Sequence, residues 1–209
     1  SREVNAFALP GGWVYVNRGL IERATDMSQL AGVMAHEIGH VTRRHSVQQL
    51  QQAQGADAGL MLLCTLTKAC ESGAGQAAVG LGSSALFAKF SRSDEAEADA
   101  EAVTTTIRAG ISPYGIPAMF RILLHERKAD AGALDAFFAS HPLEEDRIAA
   151  TEAAIATHPS SELQQLSTDA PSFQAFRRRL LAMPPPPAPR KAPAGTAQRT
   201  STENGGPKP

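Results

Sequence analysis

Residues 3–9 and 13–17 alternate or run apolar on either side of Pro10, Gly11 and Gly12, the pattern of two short strands joined by a glycine-supplied turn. The period then lengthens. Leu30, Val33, Met34, Glu37 and Val41 recur at helical spacing behind Asp26 and Gln29, a pair with the form of a capping box, so a helix is predicted over 27–45. Within it Gly32, Ala35 and Gly39 are poor choices for an exposed surface but allow another backbone to come close, which suits a helix at the centre of a small domain. A second helix is predicted over 92–109, started by Ser91 with Asp94 and ended by Gly110 and Pro113. A further helix begins after Pro142. Near the C-terminus, Phe173, Phe176 and Leu180 beside Arg177, Arg178 and Arg179 predict a short amphipathic helix packed on the domain, in preference to one lying on a membrane.

These elements make a mainly helical α+β fold with a small antiparallel sheet, which resolves into a domain over 1–158 and a short helical extension over 159–183. Residues 184–209 contain no Leu, Ile, Val, Met or aromatic residue and are rich in proline, so they are expected to be a disordered tail. The whole chain has 209 residues, 43% of them hydrophobic, and a formal charge of −1, enough for one domain of moderate size and without the basic excess of a nucleic-acid binder. Cys64 and Cys70 are too few for a disulfide framework, and a bond between them is left open. The apolar stretch 58–66 is about half the length that crosses a bilayer, and 73–88 is uncharged but dominated by small residues, so neither reads as a transmembrane helix. The chain opens inside a strand with no apolar leader, which suggests a fragment or processed form of a longer precursor.

The chemistry is concentrated in His36-Glu37-Ile38-Gly39-His40. An HExxH sequence on a helix sets two imidazoles one turn apart on a single face, where both can bind one zinc ion. Glu37, offset by one position, faces the adjoining volume and is placed to take a proton from a metal-bound water. Zinc hydrolases use three protein ligands, and the acidic run at the start of the second helix is the best source of the third. Glu95 and Asp99 share a face there: Glu95 can ligate, and Asp99 can accept the N–H of a ligand histidine and so fix its tautomer. Glu97 points away toward solvent. His45 lies off the ligand face by its spacing, and His125 and His158 read as surface residues. The first strand offers an edge to which a peptide can add as a further strand, with Asn5 and Ala6 as candidate substrate contacts; an interior hairpin strand without that role is the alternative.

HEIGHV, then SRSDEAEAD, then Ser140-His141-Pro142-Leu143 with Arg147, all preceded by NAFALPGG, resembles the metallopeptidase family typified by the CAAX prenyl endopeptidase, HtpX and BepA. The resemblance covers residues 1 to about 150. It implies one zinc ion held by His36, His40 and Glu95, with Asp99 behind the ligands. It gives His141 one of two roles, closing on the zinc as an extra ligand or donating to the oxyanion of the reaction. Arg147 either orients the His141 loop or pairs with a buried acid such as Asp99. Relatives of the HtpX type carry membrane helices in the interval corresponding to 58–88, so this chain is closer to the soluble, periplasmic or lipoprotein branch, and the insert can instead form helices or a lid.

The expected activity is that of a zinc metalloendopeptidase acting on polypeptides, such as misfolded or envelope proteins, in protein quality control. The expected location is the periplasm or cell envelope, with membrane association left open and the oligomeric state not legible. The competing reading is a latent, chaperone-like zinc-bound module in which His141 closes the metal site.

Overall fold

Gly11 and Gly12 take φ of 101° and 93°, a region that side chains disfavour, and the turn they make is closed by Gly12 N–H donating to the Leu9 carbonyl at 3.1 Å. In the computed structural model, which describes residues 3–55, 89–129, 134–142 and 145–184, this turn joins β1 (Ala6–Leu9) to β2 (Trp13–Val16). The strands pair antiparallel from Ala6 opposite Val16 to Leu9 opposite Trp13. Alternation sends Ala6 inward and leaves Trp13 and Tyr15 exposed, with Phe7 stacked on Tyr15 at 5.1 Å.

Helix α1 (Arg18–Arg23) leads to α2 (Met27–Thr42). The Asp26 carboxylate accepts from Gln29 N–H, while the Gln29 side chain reaches back to the N–H of Thr25, one residue before the position a capping box uses. The expected helix over 27–45 stops early. Arg44 adopts φ 62°, its N–H donates to the Val41 carbonyl, and residues 45–55 form a separate helical run that leaves in a new direction. Helix α3 (Arg92–Arg108) has both halves of the Ser91–Asp94 capping box and ends as the sequence predicts. There Gly110 takes φ 73°, its N–H bonds to the Ile107 carbonyl, and that of Ile111 bonds to Thr106, the paired closure of a Schellman motif.

The remaining elements are α4 (Gly115–Ala129), α5 (Asp135–Ser140), α6 (Glu145–Ala156), α7 (Ser160–Leu163) and α8 (Pro171–Ala182). The sequence reading assigned no helix to 115–129, although Ile116, Met119, Phe120 and Leu123 follow i, i+3, i+4, i+7 spacing and are all buried. The core gathers these side chains with Val4, Ala6, Leu20, Val33, Val103, Phe137, Ile155 and Phe173. α2 lies at its centre. A Cβ on Gly32 would meet Ile116 of α4 at 2.8 Å, and one on Gly39 would meet the Ala98 carbonyl of α3 at 2.9 Å, so the small residues do let two helices approach closely.

The fold is therefore mainly helical α+β with a two-stranded antiparallel sheet. The 159–183 segment shares the core through Phe173, and Ser28 N–H donates to the Thr168 carbonyl across the start of α2. No helix among the described residues is long and apolar enough to cross a membrane. Cys64, Cys70, the stretches 58–66 and 73–88, and the tail beyond Pro184 lie outside the described residues.

Candidate metal centre

One turn of α2 brings His36 and His40 to the same side, and the first turns of α3 bring Glu95 and Asp99 opposite them across the Gly39–Ala98 contact. His36 Nε2 and His40 Nε2 lie 3.0 Å apart, and the Glu95 carboxylate is 3.5 Å from the first and 3.4 Å from the second. The C-terminus of α5 delivers His141, whose Nδ1 is 3.0 Å from Glu95 Oε1 and 3.4 Å from His36 Nε2. All four are buried, and one potential ligand atom from each lies within 4.8 Å of the others. Donors about 2.1 Å from a tetrahedral cation stand roughly 3.4 Å apart, so this group suits a metal ion.

A second observation supports that fit. Glu37 is 1% exposed and its Oε1 has no hydrogen-bond partner, with His141 Nε2 standing 3.5 Å away. A buried carboxylate oxygen without a donor is costly, and a water held by a metal between these residues would satisfy it.

Behind the donors the site is closely tied. His36 Nδ1 donates to Asp99 Oδ1 at 2.9 Å, and Asp99 also accepts two bonds of 2.8 Å from the Arg147 guanidinium. Arg147 donates as well to the Pro142 carbonyl at 2.9 Å, lies against Glu95, and stacks over the Phe120 ring at 4.8 Å. Arg147 thus bonds both to the Asp99 carboxylate and to the carbonyl of Pro142, the residue after His141. Phe90, which the sequence reading did not single out, covers His40 with ring centroids 3.9 Å apart, and its N–H donates to the Ser140 carbonyl at 3.0 Å.

Burial acts on every charge here. For His40 it prevails over the hydrogen bond to Glu95 and pushes the pKa down to about 3. For His36 burial pulls down, but the Glu95 carboxylate and the Asp99 hydrogen bond outweigh it and raise the pKa. Burial opposes ionisation of Glu95, yet His36 and the hydrogen bonds from His141 and His40 hold it well below the usual carboxylate range. Asp99 is lowered in the same way, burial being overcome by His36 and then Arg147. The result is a set of ionised carboxylates facing imidazoles, of which His40 is kept neutral, as metal ligation requires, while the proton favoured on His36 would have to leave when a metal binds.

Glu97 is exposed, as is His125, and His158 is half-buried; none of them belongs to the donor group. His45 does not belong to it either, but it is not a bystander: it is 2% exposed and its Nδ1 is 2.9 Å from His40 Nδ1. The Asn5 carbonyl accepts from Asn17 N–H and so serves the hairpin, while the Asn5 side-chain oxygen is buried without a partner. By the antiparallel alternation this implies, the main-chain groups of Ala6 and Ala8 point to the outer edge of β1, although the Ala6 side chain is fully buried. A cleft of about 180 Å³ lined by Leu9, Pro10, Gly11, Arg44 and Val47 leads from the hairpin turn to His40.

Residues 1–155 match the sequence pattern of peptidase family M48. The chain is 32% identical over 158 residues to the beta-barrel assembly-enhancing protease of Escherichia coli strain K12, an alignment that covers 70% of this chain and 31% of that protein. It is 31% identical over 148 residues to metalloprotease LoiP and 31% identical over 146 residues to metalloprotease YcaL of the same strain, covering 70% and 69% of this chain and 57% and 56% of those proteins. The chain thus spans about a third to somewhat over half the length of these relatives.

Proposed function

This chain belongs to peptidase family M48, and from that premise we propose that it is a zinc metalloendopeptidase whose metal is held by His36, His40 and Glu95. The observation that carries the reading is the buried group of imidazole and carboxylate donors with the unpartnered Glu37 oxygen beside it. Zinc bound there supplies Lewis acidity toward the scissile carbonyl and acidifies a water for attack. Glu37 takes the proton of that water and passes it to the leaving amine. Asp99 keeps His36 in the Nδ1–H tautomer, leaving Nε2 free to ligate, and Arg147 holds Asp99 ionised while anchoring the loop behind His141.

A polypeptide adds antiparallel to the outer edge of β1, where Ala6 and Ala8 offer main-chain groups and no strand pairs among the described residues. Asn5 contributes through its side chain, its carbonyl being engaged by the hairpin. The unit proposed for this work is 1–158, with 159–183 packed on it. A relative named for enhancing β-barrel assembly makes misfolded or envelope proteins in the periplasm or cell envelope the substrates we favour.

The latent reading stays alongside this one, because His141 Nδ1 stands among the donors at ligand spacing. With His141 as fourth ligand the site is closed, and its withdrawal opens the position that water needs. Two variants test the scheme on casein. Glu37→Gln is expected to keep one equivalent of zinc and to lose cleavage by at least about a hundredfold; undiminished proteolysis would reject Glu37 as the base. His141→Ala raises proteolysis, or leaves it equal, if the residue closes the site, and lowers it if the residue donates to the oxyanion.

A further inference from the structure

An imidazole that offers one nitrogen to a metal keeps its proton on the other, and the group meeting that other nitrogen sets the orientation of the ring. His36 meets the Asp99 carboxylate. His40 does not meet a carboxylate on that side: its Nδ1 lies 2.9 Å from Nδ1 of His45. A continuous helix would have carried His45 to another face. Instead α2 ends at Thr42, Arg44 turns the chain at φ 62°, and the new helical run starts at His45, whose ring comes edge-on to His40 with centroids 5.0 Å apart and planes at 73°.

The proton count at this contact is fixed by what surrounds it. Nε2 of His40 faces His36 at 3.0 Å and Glu95 at 3.4 Å, so it is the nitrogen turned to the donor group, and with a metal bound to it the hydrogen is on Nδ1. Nδ1 of His45 must then accept. Its own hydrogen sits on Nε2, which faces the carboxylates of Glu97 at 3.6 Å and Asp94 at 3.9 Å, both on the first turns of α3. Phe90 covers the face of His40, so the ring is held both edge-on and face-on.

We propose that His45 is a positioning residue of the metal centre, whose Nδ1 lone pair holds His40 in the Nδ1–H tautomer and in the orientation that presents Nε2 to the metal. Asp94 and Glu97 select the His45 tautomer that can accept. The inference rests on the reading of His40 as a ligand, and its signature is chemical: any side chain with an acceptor at the Nδ1 position should serve, and one without it should not.

The test is a zinc competition titration against a chromophoric chelator, made on the full chain and on His45→Ala, His45→Asn and His45→Gln, with the thermal midpoint of each metal-free protein recorded beside it. The amide oxygen of Asn falls near the place of the imidazole Nδ1 and accepts; Gln puts its amide farther out, near the Nε2 position. Loss of such a partner of a ligand histidine weakens metal binding by about 10- to 100-fold. That loss is expected for His45→Ala and His45→Gln, with His45→Asn close to the wild-type affinity. Wild-type affinity in His45→Ala, or a His45→Asn protein as weak as His45→Gln at an equal thermal midpoint, overturns the proposal. Failure of the unaltered chain to bind zinc would remove the metal site itself, and this inference with it.

Discussion

A single carboxylate, that of Asp99, accepts from a candidate ligand histidine on one side and from a planar guanidinium on the other. Lysine could not replace Arg147, because a point charge cannot reach Asp99, Glu95 and the Pro142 carbonyl together. These buried charges give the metal-free protein a definite acid response. Glu95 and Asp99 are held below their ordinary range, so as the pH falls from about 5 to 3.5 the unfolded chain takes up protons that the folded chain refuses. His40, pushed to about 3, adds the same sign, since its unfolded form is already protonated there. The raised pKa of His36 stabilises at low pH, but that contribution is complete below about 6.5 and is constant across this window. The thermal midpoint of the chelator-treated protein should therefore drop between about pH 5 and 3.5, and Asp99→Asn should lessen the drop. A midpoint that stays level in the wild type would argue against ionised, buried carboxylates. At this scale the sequence showed what helical periodicity can show: the i, i+4 pairs on α2 and α3 follow from counting residues. His45 and Phe90 were not legible as partners of His40, because their places depend on a left-handed arginine and on the Phe90–Ser140 contact, neither of which has a local signature.

Between elements, the contact that matters is the crossing of α2 and α3 at Gly39. A methyl group there would lie 2.9 Å from the Ala98 carbonyl oxygen and 3.0 Å from its Cα, and backbone atoms cannot give way as a flexible side chain can. Gly39→Ala should force the helices apart, cost about 1–3 kcal/mol in a urea titration, and carry the two histidines away from Glu95 with a loss of zinc affinity. Gly55→Ala, with nothing among the described residues within 4 Å of its added carbon, serves as the control and should be neutral or slightly stabilising. If Gly39→Ala matched that control in both stability and zinc affinity, close approach would not be what holds the candidate ligands together. The helices with strong caps were readable because their ends are local chemistry, as at Ser91, Asp94 and Gly110. Ahead of α4 stand Ser112 and Pro113, but the same proline reads as the stop after α3, and α5 spans only Asp135–Ser140, so the element that delivers His141 becomes visible only through its packing.

Across the molecule, the helix that carries His36 and His40 is tied to distant parts of the chain. Ser28 N–H bonds to Thr168, Met27 N–H to the Asp169 carboxylate at 3.0 Å, and Phe173 of α8 lies in the same core as Val33. A ligand that binds only the folded centre should thus stabilise the whole unit rather than one lobe. Zinc at a hundredfold its dissociation constant is expected to add about 2.7 kcal/mol, read as a rising midpoint of one cooperative calorimetric transition. A midpoint indifferent to zinc, or a separate early transition that alone responds, would contradict that unity.

The hydrogen bond from Phe90 to Ser140 binds the residue that roofs His40 to the one just before His141. A shift of the His141 backbone would therefore either break that bond or drag the aromatic ring with it. Where His141 withdraws by such a backbone shift, its departure and the admission of solvent to His40 are expected to share one relaxation rate, so that a stopped-flow probe of either event would report on both.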